Sequence, residues 1–371
     1  MIHANRFGRY ISALLLFYAF GARAASDAAE SIRKGGDFLW AEQAEDGGWH
    51  SRTYELLRSG QALTPFVLNS LLQSEEPLSA AHKAQAARAV AFIKARLTEG
   101  GALGMANPIL HDYPNYATAL AVEALSRDAA EKPAAAKMIG YLHSQQFAGA
   151  GWSKEHPAFG AWGMGGITRT PREPGHLDLS MTRNVLEALR NCEPKASAGA
   201  FDGALIFLSR CQNLNDGGDG GFFFSTVVLE ANKAGSESAR FRSYGTATAD
   251  GILALLACGV KPDDTRVQSA LQWLLAHHRT GAAPGFPDEI TKHWDTGLQY
   301  YYYAALARVF KQLNIHADLD GRDLWSELRT FLIKSQHADG SWANDNFLVK
   351  EDDPLVATVF AISALSDLRE K

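Results

Sequence analysis

Two short pairs of titratable residues in this chain combine an imidazole with a carboxylate. His176 is followed two residues later by Asp178, and His293 is followed two residues later by Asp295. A carboxylate can orient a nearby imidazole so that it acts as a general base. The same pairs could instead hold their loops by hydrogen bonds, and Asp178 could cap the helix that follows it. These four residues are the catalytic candidates, and both interpretations stay open.

Other polar and aromatic residues precede or open apolar stretches, or lie in the two long loops 156–175 and 223–243. The ligand-binding candidates are Tyr116, Trp162, Arg169, Arg172, Asp178, Thr182, Tyr244, Thr248, Trp294 and Tyr301. Loops of about twenty residues are unusual in compact domains and are often functional. Asp178, Thr182 and Val185 share one helix face. If that face points to the centre of the fold, it predicts a polar rim above an apolar wall, which suits an amphipathic ligand.

The elements that would position these residues recur along the chain. Each repeat has an amphipathic helix, a glycine-rich turn with an aromatic residue, a loop, and a more apolar helix. The clearest turns pair Gln43 with Trp49 and Gln336 with Trp342, and a third pairs Gln145 with Trp152. The apolar helices are predicted over Thr64–Leu72, Tyr116–Leu125, Leu179–Leu189, Thr246–Ala257, Thr296–Phe310 and Leu355–Leu368. We interpret the repeated Gln and Trp residues as parts of the fold.

The repeats predict one all-α domain over residues 25–371. Six helix hairpins without polar capping repeats favour a closed α6/α6 toroid, with six inner and six outer helices. The inner helices are then parallel, so their first turns meet at one end. Helix N-termini carry partial positive charge, and the loop arginines Arg169, Arg172, Arg240 and Arg242 could add to it. This end is therefore the predicted binding site, suited to an anionic group.

Residues 1–24 are predicted to be a signal peptide. Arg6 and Arg9 precede an apolar run, and Ala22-Arg23-Ala24 has the small-x-small pattern that signal peptidase accepts. We therefore expect a periplasmic or secreted protein, and no membrane span in the mature chain. The net charge of −5 argues against binding to nucleic acid. We expect a monomer.

The Gln-x-x-Asp-Gly-Ser/Gly-Trp turns resemble the repeats of the terpenoid cyclase and protein prenyltransferase superfamily, including squalene–hopene cyclases. The resemblance covers about residues 30–370 and extends to the segments 178–182, 243–248 and 300–306. These segments look like exported bacterial proteins known only as prenyltransferase and squalene oxidase repeat proteins. The resemblance implies an α/α toroid fold, but the turn motifs give little information about activity.

The chemistry that the resemblance would bring is not visible in the motifs. Class II cyclases protonate an alkene with an Asp-x-Asp-Asp-Thr motif, and the matching segment here has Ser180 and Met181 in place of the acidic pair. The three cysteines lack the Asp and His partners of a prenyltransferase zinc site. Asp263-Asp264 and Asp352-Asp353 lack the third carboxylate of a class I magnesium site. We expect no metal and no cofactor, and squalene-type cyclisation is disfavoured.

Three functions remain after these exclusions. The first is an exported repeat protein that binds an isoprenoid or another amphipathic, lipid-like small molecule in a central cavity. The second is a polysaccharide lyase or hydrolase, because α/α toroids also serve that chemistry. Glycosidases normally need two catalytic carboxylates, and Asp178 and Asp295 are the only plausible pair in the sequence. The third is a non-catalytic scaffold for protein interactions. A deep apolar cavity favours the first, an open groove with stacked aromatic rings the second, and a filled axis the third.

Overall fold

The computed structural model describes residues 26–369, except 76, 108, 110, 150, 216 and 289–291. The predicted signal peptide lies outside the described residues. The described chain is helical, with α1 over residues 26–41. It continues with α2 (Leu63–Ser74), α3 (Ala80–Ala95), α4 (Pro114–Leu125), α5 (Lys132–Ser144), α6 (Leu179–Cys192), α7 (Ala198–Cys211), α8 (Gly245–Ala257), α9 (Thr265–His277), α10 (Trp294–Gly297), α11 (Gln299–Leu313), α12 (Leu324–Lys334) and α13 (Pro354–Asp367).

The remaining described elements are short and lie in the connections. They are the 3-10 helices Glu55–Leu57, Ala129–Glu131 and Leu229–Ala231, and the antiparallel strands β1 (Ser236–Glu237) and β2 (Arg240–Phe241). None of the described helices is long and apolar enough to cross a lipid bilayer. The prediction of an all-α fold is confirmed.

The apolar helices form an inner ring. Each of α2, α4, α6, α8, α11 and α13 packs against the next in chain order, and α13 packs against α2, so this ring closes. These helices are buried on most of their circumference, because they contact two inner neighbours and the outer helices as well. Their parallel direction places their N-terminal ends together, as the repeats predict.

Glutamines in four of the turns, Gln43, Gln146, Gln212 and Gln336, link neighbouring outer helices. Gln43 Nε2 donates to the carbonyl oxygens of Gly47 in its own turn and Gln85 in α3, both at 2.9 Å. Gln336 makes the same two bonds, to Gly340 and to Ser31 in α1. The last repeat is thereby bonded to the first. The turn needs glycine here, since Gly340 has φ +92° and a Cβ atom would lie 2.5 Å from the Lys34 carbonyl oxygen.

In the first and last turns the tryptophan is fixed by the inner helix that follows it. Trp342 is fully buried, its indole N–H donates to Leu332 O at 2.8 Å, and its backbone N–H donates to Thr358 Oγ1 at 3.0 Å. Trp49 has the same bonds to Leu39 and Thr64. The interpretation of these tryptophans as fold residues is confirmed.

The third turn is built from other residues than the sequence pattern predicts. Gln146 donates to Gly160 O and Ala200 O, and Trp162 donates its indole N–H to Leu142 O at 2.7 Å. The predicted pair, Gln145 and Trp152, does not make these bonds; Trp152 is only partly buried and stacks on Phe147. The pattern is misleading because a longer segment separates glutamine from the turn glycine here, and an adjacent Gly-x-Gly-Trp imitates the turn.

The fifth inner helix begins later than predicted. The chain forms the four-residue helix α10, breaks at Leu298 (φ −102°, ψ 19°), and then enters α11 at Gln299. The four tyrosines 300–303 consequently point in different directions, as the 100° step of a helix requires. Tyr301 faces the interior of the ring, whereas Tyr303 packs on Phe331 of α12, with ring centroids 5.3 Å apart.

Candidate functional site

A cavity of about 240 Å³ lies at the end of the ring where the inner helices begin. We call it the mouth cavity. Every inner helix contributes to its wall, together with the loops before α8 and α13. Aromatic and aliphatic side chains dominate the wall, and they are Leu57, Ala62, Leu63, Phe66, Tyr113, Tyr116, Met181, Phe224, Tyr244, Leu298, Tyr301, Val349, Val356 and Phe360. Polar groups come from Ser180, Lys233, Thr246, Lys350 and Glu351.

The entrance to α4 is held by a buried carboxylate. Asp112 Oδ2 accepts hydrogen bonds from Ser59 Oγ at 2.7 Å and from the Ala62 N–H at 3.1 Å. Burial raises the pKa of this carboxyl, and the two hydrogen bonds act against the rise. Tyr113 follows in the left-handed conformation (φ 46°, ψ 61°). The backbone turn places the Tyr113 side chain in the cavity wall.

The imidazole–carboxylate pair at the start of α6 forms as predicted. His176 Nε2 lies 2.8 Å from Asp178 Oδ2, and Asp178 Oδ1 accepts the Met181 N–H at 2.8 Å. Asp178 therefore caps α6, and His176 bonds to the cap. Neither residue belongs to the wall of the mouth cavity, whereas Ser180 and Met181, in the first turn of α6, do.

The second predicted pair does not form. Asp295 Oδ2 lies 3.4 Å from Arg279 Nη2, and the Asp295 carbonyl oxygen accepts the Ala283 N–H. Among the described residues, the exposed imidazole of His293 has no hydrogen bond to Asp295; its backbone carbonyl accepts from Asn346. The pairing fails because α10 starts at Trp294 and directs the Asp295 side chain toward Arg279.

Three of the predicted ligand residues are structural. Trp162 is fully buried in the third turn, Thr182 Oγ1 accepts its backbone N–H at 3.1 Å, and Thr248 Oγ1 accepts the Phe222 N–H at 3.1 Å. The threonines therefore face the turns and not the axis, which corrects the prediction of an inward stripe on α6. The inward residues of α6 include Arg183 and Glu187.

The predicted arginines lie outside the mouth cavity. Arg172 is exposed, Arg169 lies against Gly175, and Arg242 pairs with Glu237 at 3.0 Å. Trp294 is at the edge, with its ring 5.5 Å from Lys233 Nζ. Tyr116, Tyr244 and Tyr301 do lie in the cavity wall.

Two lysines supply the positive charge at the cavity. Lys350 Nζ donates to Tyr113 Oη at 3.1 Å, and Lys233 Nζ lies 3.8 Å from the centroid of the Phe224 ring. Within the described part of the chain, neither ammonium group has a carboxylate within ion-pair distance. Burial lowers the pKa of Lys233 to about 8. Neither lysine was among the residues predicted from the sequence, although Lys233 lies in the long loop 223–243, which was predicted to be functional.

A third residue that the sequence did not indicate is Glu351, which lies in the loop before α13 and caps the N-terminus of α11. Its carboxylate accepts the backbone N–H groups of Tyr300 and Tyr301 at 2.9 and 2.8 Å, so it caps α11 from the loop before the neighbouring helix α13. Burial raises its pKa to about 7, and the hydrogen bonds limit the rise. No local sequence pattern indicates this role, because the cap and the helix are some fifty residues apart.

The floor of the mouth cavity contains a tight group of three oxygen atoms. Asp250 Oδ2 accepts from Ser180 Oγ at 2.6 Å and from Tyr301 Oη at 2.7 Å, and the two hydroxyl oxygens are themselves 2.7 Å apart. Both hydroxyls therefore donate to the same carboxylate oxygen. Burial raises the pKa of Asp250 to about 6, while Arg183, 3.5 Å away, opposes the rise.

Below this floor the ring interior is charged. Arg183 Nε lies 2.9 Å from Glu187 Oε2, which also lies 3.5 Å from Arg308 Nη1. The predicted order of a polar rim above an apolar wall is therefore reversed, with the apolar wall near the mouth and ion pairs deeper. Asp250 had a sequence signal, since it is the single charged residue of an otherwise apolar helix.

The described residues contain no group of three or more His, Cys, Asp and Glu side chains that could hold a metal ion. The polar groups in the wall of the mouth cavity are hydroxyls, one carboxyl and two amines.

Solved structures share the arrangement of helices. A variant of the type II terpene cyclase MstE from Scytonema, in complex with geranylgeranyl dihydroxybenzoate, superposes with a TM-score of 0.62 at 13% identity, covering 94% of this chain and 99% of that one. The chain is an α/α toroid. A protein from Actinoplanes matches this toroid with a TM-score of 0.57 at 16% identity, covering 92% of this chain and 100% of that one.

An enzyme with different chemistry has the same fold. The GH76A alpha-1,6-mannanase from Salegentibacter superposes on the toroid with a TM-score of 0.53 at 12% identity, covering 92% of this chain and 98% of that one. No family model matches the toroid, and no curated protein matches it. At these identities the comparisons establish the fold and leave the function of this chain undetermined.

Proposed function

We propose that the toroid binds an amphipathic, isoprenoid-like small molecule in the mouth cavity, with the ligand's oxygen-bearing head group at the two lysines. The observation that carries the proposal is an apolar, aromatic cavity with two ammonium groups that have no carboxylate partner among the described residues. An apolar chain gains from leaving water for such a wall. An oxygen-rich head group gains charge-assisted hydrogen bonds.

The ends of the helices add to this preference. The first turns of the inner helices meet at the cavity, and the positive ends of their dipoles favour negative charge. Tyr244 adds a buried hydroxyl to the cavity wall, and no hydrogen bond joins it to another described residue. A bound head group could satisfy it. The MstE neighbour's ligand, geranylgeranyl dihydroxybenzoate, joins an isoprenoid chain to an oxygen-bearing ring.

The alternative of a polysaccharide hydrolase has weaker support. Its two candidate carboxylates, Asp178 and Asp295, lie outside the cavity wall, where one caps α6 and the other faces Arg279. Sugars also need many polar partners, whereas this wall is mainly apolar. A purely structural scaffold would not need an apolar cavity at its axis.

Calorimetric titration with geranylgeranoic acid, an isoprenoid carboxylic acid, tests the proposal. We expect binding, and Lys350→Gln should weaken it about 10–100-fold, because a hydrogen bond to a charged group contributes about 1.5–3 kcal/mol. The matched control is Lys137→Gln, which removes an exposed lysine on α5.

A second variant pair tests the location. Val349 lines the cavity, so Val349→Trp should fill it and abolish binding. Val227 is also a partly buried valine on a loop at the mouth, but it does not line the cavity, so Val227→Trp should bind normally. Equal affinities for the two variants would place the ligand elsewhere.

We also propose that the toroid is exported as a monomer after cleavage near residue 24, on the strength of the N-terminal pattern. Intact mass of protein from the periplasm and from the cytoplasm tests this. A chain that keeps its first 24 residues in both fractions would contradict it, and a dimeric mass by light scattering would contradict the monomer.

A further inference from the structure

Lys233 differs from Lys350 in its surroundings. Its Nζ lies against the faces of two aromatic rings, 3.8 Å from the Phe224 centroid and 5.5 Å from the Trp294 ring. Among the described residues, the amine is paired with no oxygen atom, whereas Lys350 donates to Tyr113 Oη. The two lysines therefore present different chemistry to the same cavity.

The backbone around Lys233 is fixed. Asn232 is buried, and its Oδ1 accepts the N–H groups of Phe224 and Ser225 at 2.8 and 3.0 Å. Its Nδ2 donates to Ser225 O at 2.9 Å, and Ala234 on the other side of Lys233 is also buried. The lysine is thus held between two anchored residues, with its side chain directed into the cavity wall.

These surroundings favour the free amine. Loss of water destabilises the ammonium form, and the aromatic faces restore only part of that stabilisation. With a pKa of about 8, about one Lys233 side chain in ten is neutral at pH 7, far more than for an exposed lysine. A desolvated amine in an apolar cavity is the form of lysine that attacks carbonyl carbon.

We propose that Lys233 forms a reversible imine with an aldehyde at the head of an amphipathic, isoprenoid-like ligand bound in the mouth cavity. This inference rests on the proposed function and adds a covalent step and a ligand class. For such a ligand, the head group bonds covalently to Lys233 instead of making an ionic contact with it. Lys350 still donates a hydrogen bond.

The step is balanced without any redox partner. The lone pair of the neutral amine forms the C–N bond, and the carbonyl π electrons move to oxygen, which takes up the proton lost by nitrogen. The nitrogen lone pair then forms the C=N bond as the C–O bond breaks, and the departing hydroxyl takes the second nitrogen proton and leaves as water. One aldehyde and one amine give one imine and one water. The Tyr244 hydroxyl, which has no hydrogen bond to another described residue, can donate one to the departing oxygen.

Reductive trapping tests the inference. The full-length mature protein is incubated with geranylgeranial and sodium cyanoborohydride, and tryptic peptides are mapped by mass spectrometry. We expect one adduct, at Lys233, with a rate that reaches half its maximum near pH 8. Lys233→Arg should give no adduct, whereas Lys137→Arg should leave the adduct at Lys233 unchanged. Melting curves establish that both variants are folded.

The outcomes separate the two proposals. Binding of geranylgeranoic acid without an adduct at Lys233 refutes the imine and leaves the proposed function standing. Labelling spread over exposed lysines, or labelling of Lys350 at the same rate, also refutes it. If neither the acid nor the alcohol geranylgeraniol binds, the proposed function fails as well.

Discussion

Replacement of Trp162 by alanine distinguishes a structural residue from a ligand residue. Trp162 was a ligand-binding candidate by sequence, and the structure places it in the third turn, fully buried. The indole N–H donates to Leu142 O at 2.7 Å. Truncation would open a large cavity between α5 and α6 and remove the indole hydrogen bond from that carbonyl, which keeps the Gln145 N–H as a donor.

The expected loss follows from these contacts. Truncation of a buried tryptophan to alanine costs about 3–5 kcal/mol. The unfolding entropy of about 2.1 cal/mol/K per residue gives about 0.7 kcal/mol/K for about 345 residues. The melting temperature should therefore fall by about 4–7 °C.

Scanning calorimetry of Trp162→Ala beside Trp152→Ala measures the difference. Trp152 is partly exposed and stacks on Phe147, so its loss should shift melting by only about a third as much. A Trp162→Ala protein that melts like the wild type but no longer binds geranylgeranoic acid would refute the structural assignment. Equal shifts for the two variants would refute the assignment of the turn to Trp162.

Three further predictions concern ring closure, pH and chemistry. Gln336→Ala should lower the melting temperature by about 1–3 °C because it removes two hydrogen bonds, one of them to Ser31; no shift would show that this contact does not stabilise the ring. Glu351 binds a proton more readily in the folded protein, so it contributes stability below pH 4.5 that is lost as pH rises through about 7. The melting temperature should therefore change less between pH 5 and 8 for Glu351→Gln than for the wild type, and the same pH dependence in both proteins would contradict this. Squalene and oxidosqualene should give no cyclic product, because Ser180 replaces the acid and the carboxyl beside it, with a pKa of about 6, is too weak to protonate an alkene; a pentacyclic product above a boiled control would overturn this.

The fold supplies a carboxyl beside Ser180 that the motif does not show. By sequence, the cavity lacks the acid of a class II cyclase, since Ser180 and Met181 occupy the expected positions. In the fold, Ser180 donates to Asp250, which comes from the neighbouring inner helix. A carboxyl is therefore present at the floor, although it belongs to a different element. Burial makes this carboxyl a weaker acid by raising its pKa to about 6, even though Arg183 is close enough to favour the ionised form.

The sequence by itself determined the architecture. A repeat of helix, turn and helix leaves each hairpin with an apolar face that only its neighbours can cover, so the pattern already implies a ring of stacked hairpins. Turn residues such as Gln336 and Trp342 act within short segments and on the adjacent hairpin, and their roles can be read locally. The end of the ring that holds the cavity follows from the parallel direction of the inner helices.

Only the tertiary structure decided which residues line the cavity and what charge they carry. Side-chain direction on an inner helix depends on its rotation about its own axis, and contacts with three neighbours set that rotation. Thr182 faces a turn for this reason, while Arg183 faces the axis. Lys233 and Glu351 enter from loops whose paths no periodicity encodes. Their shifted pKa values come from burial, which arises only when distant segments close around them.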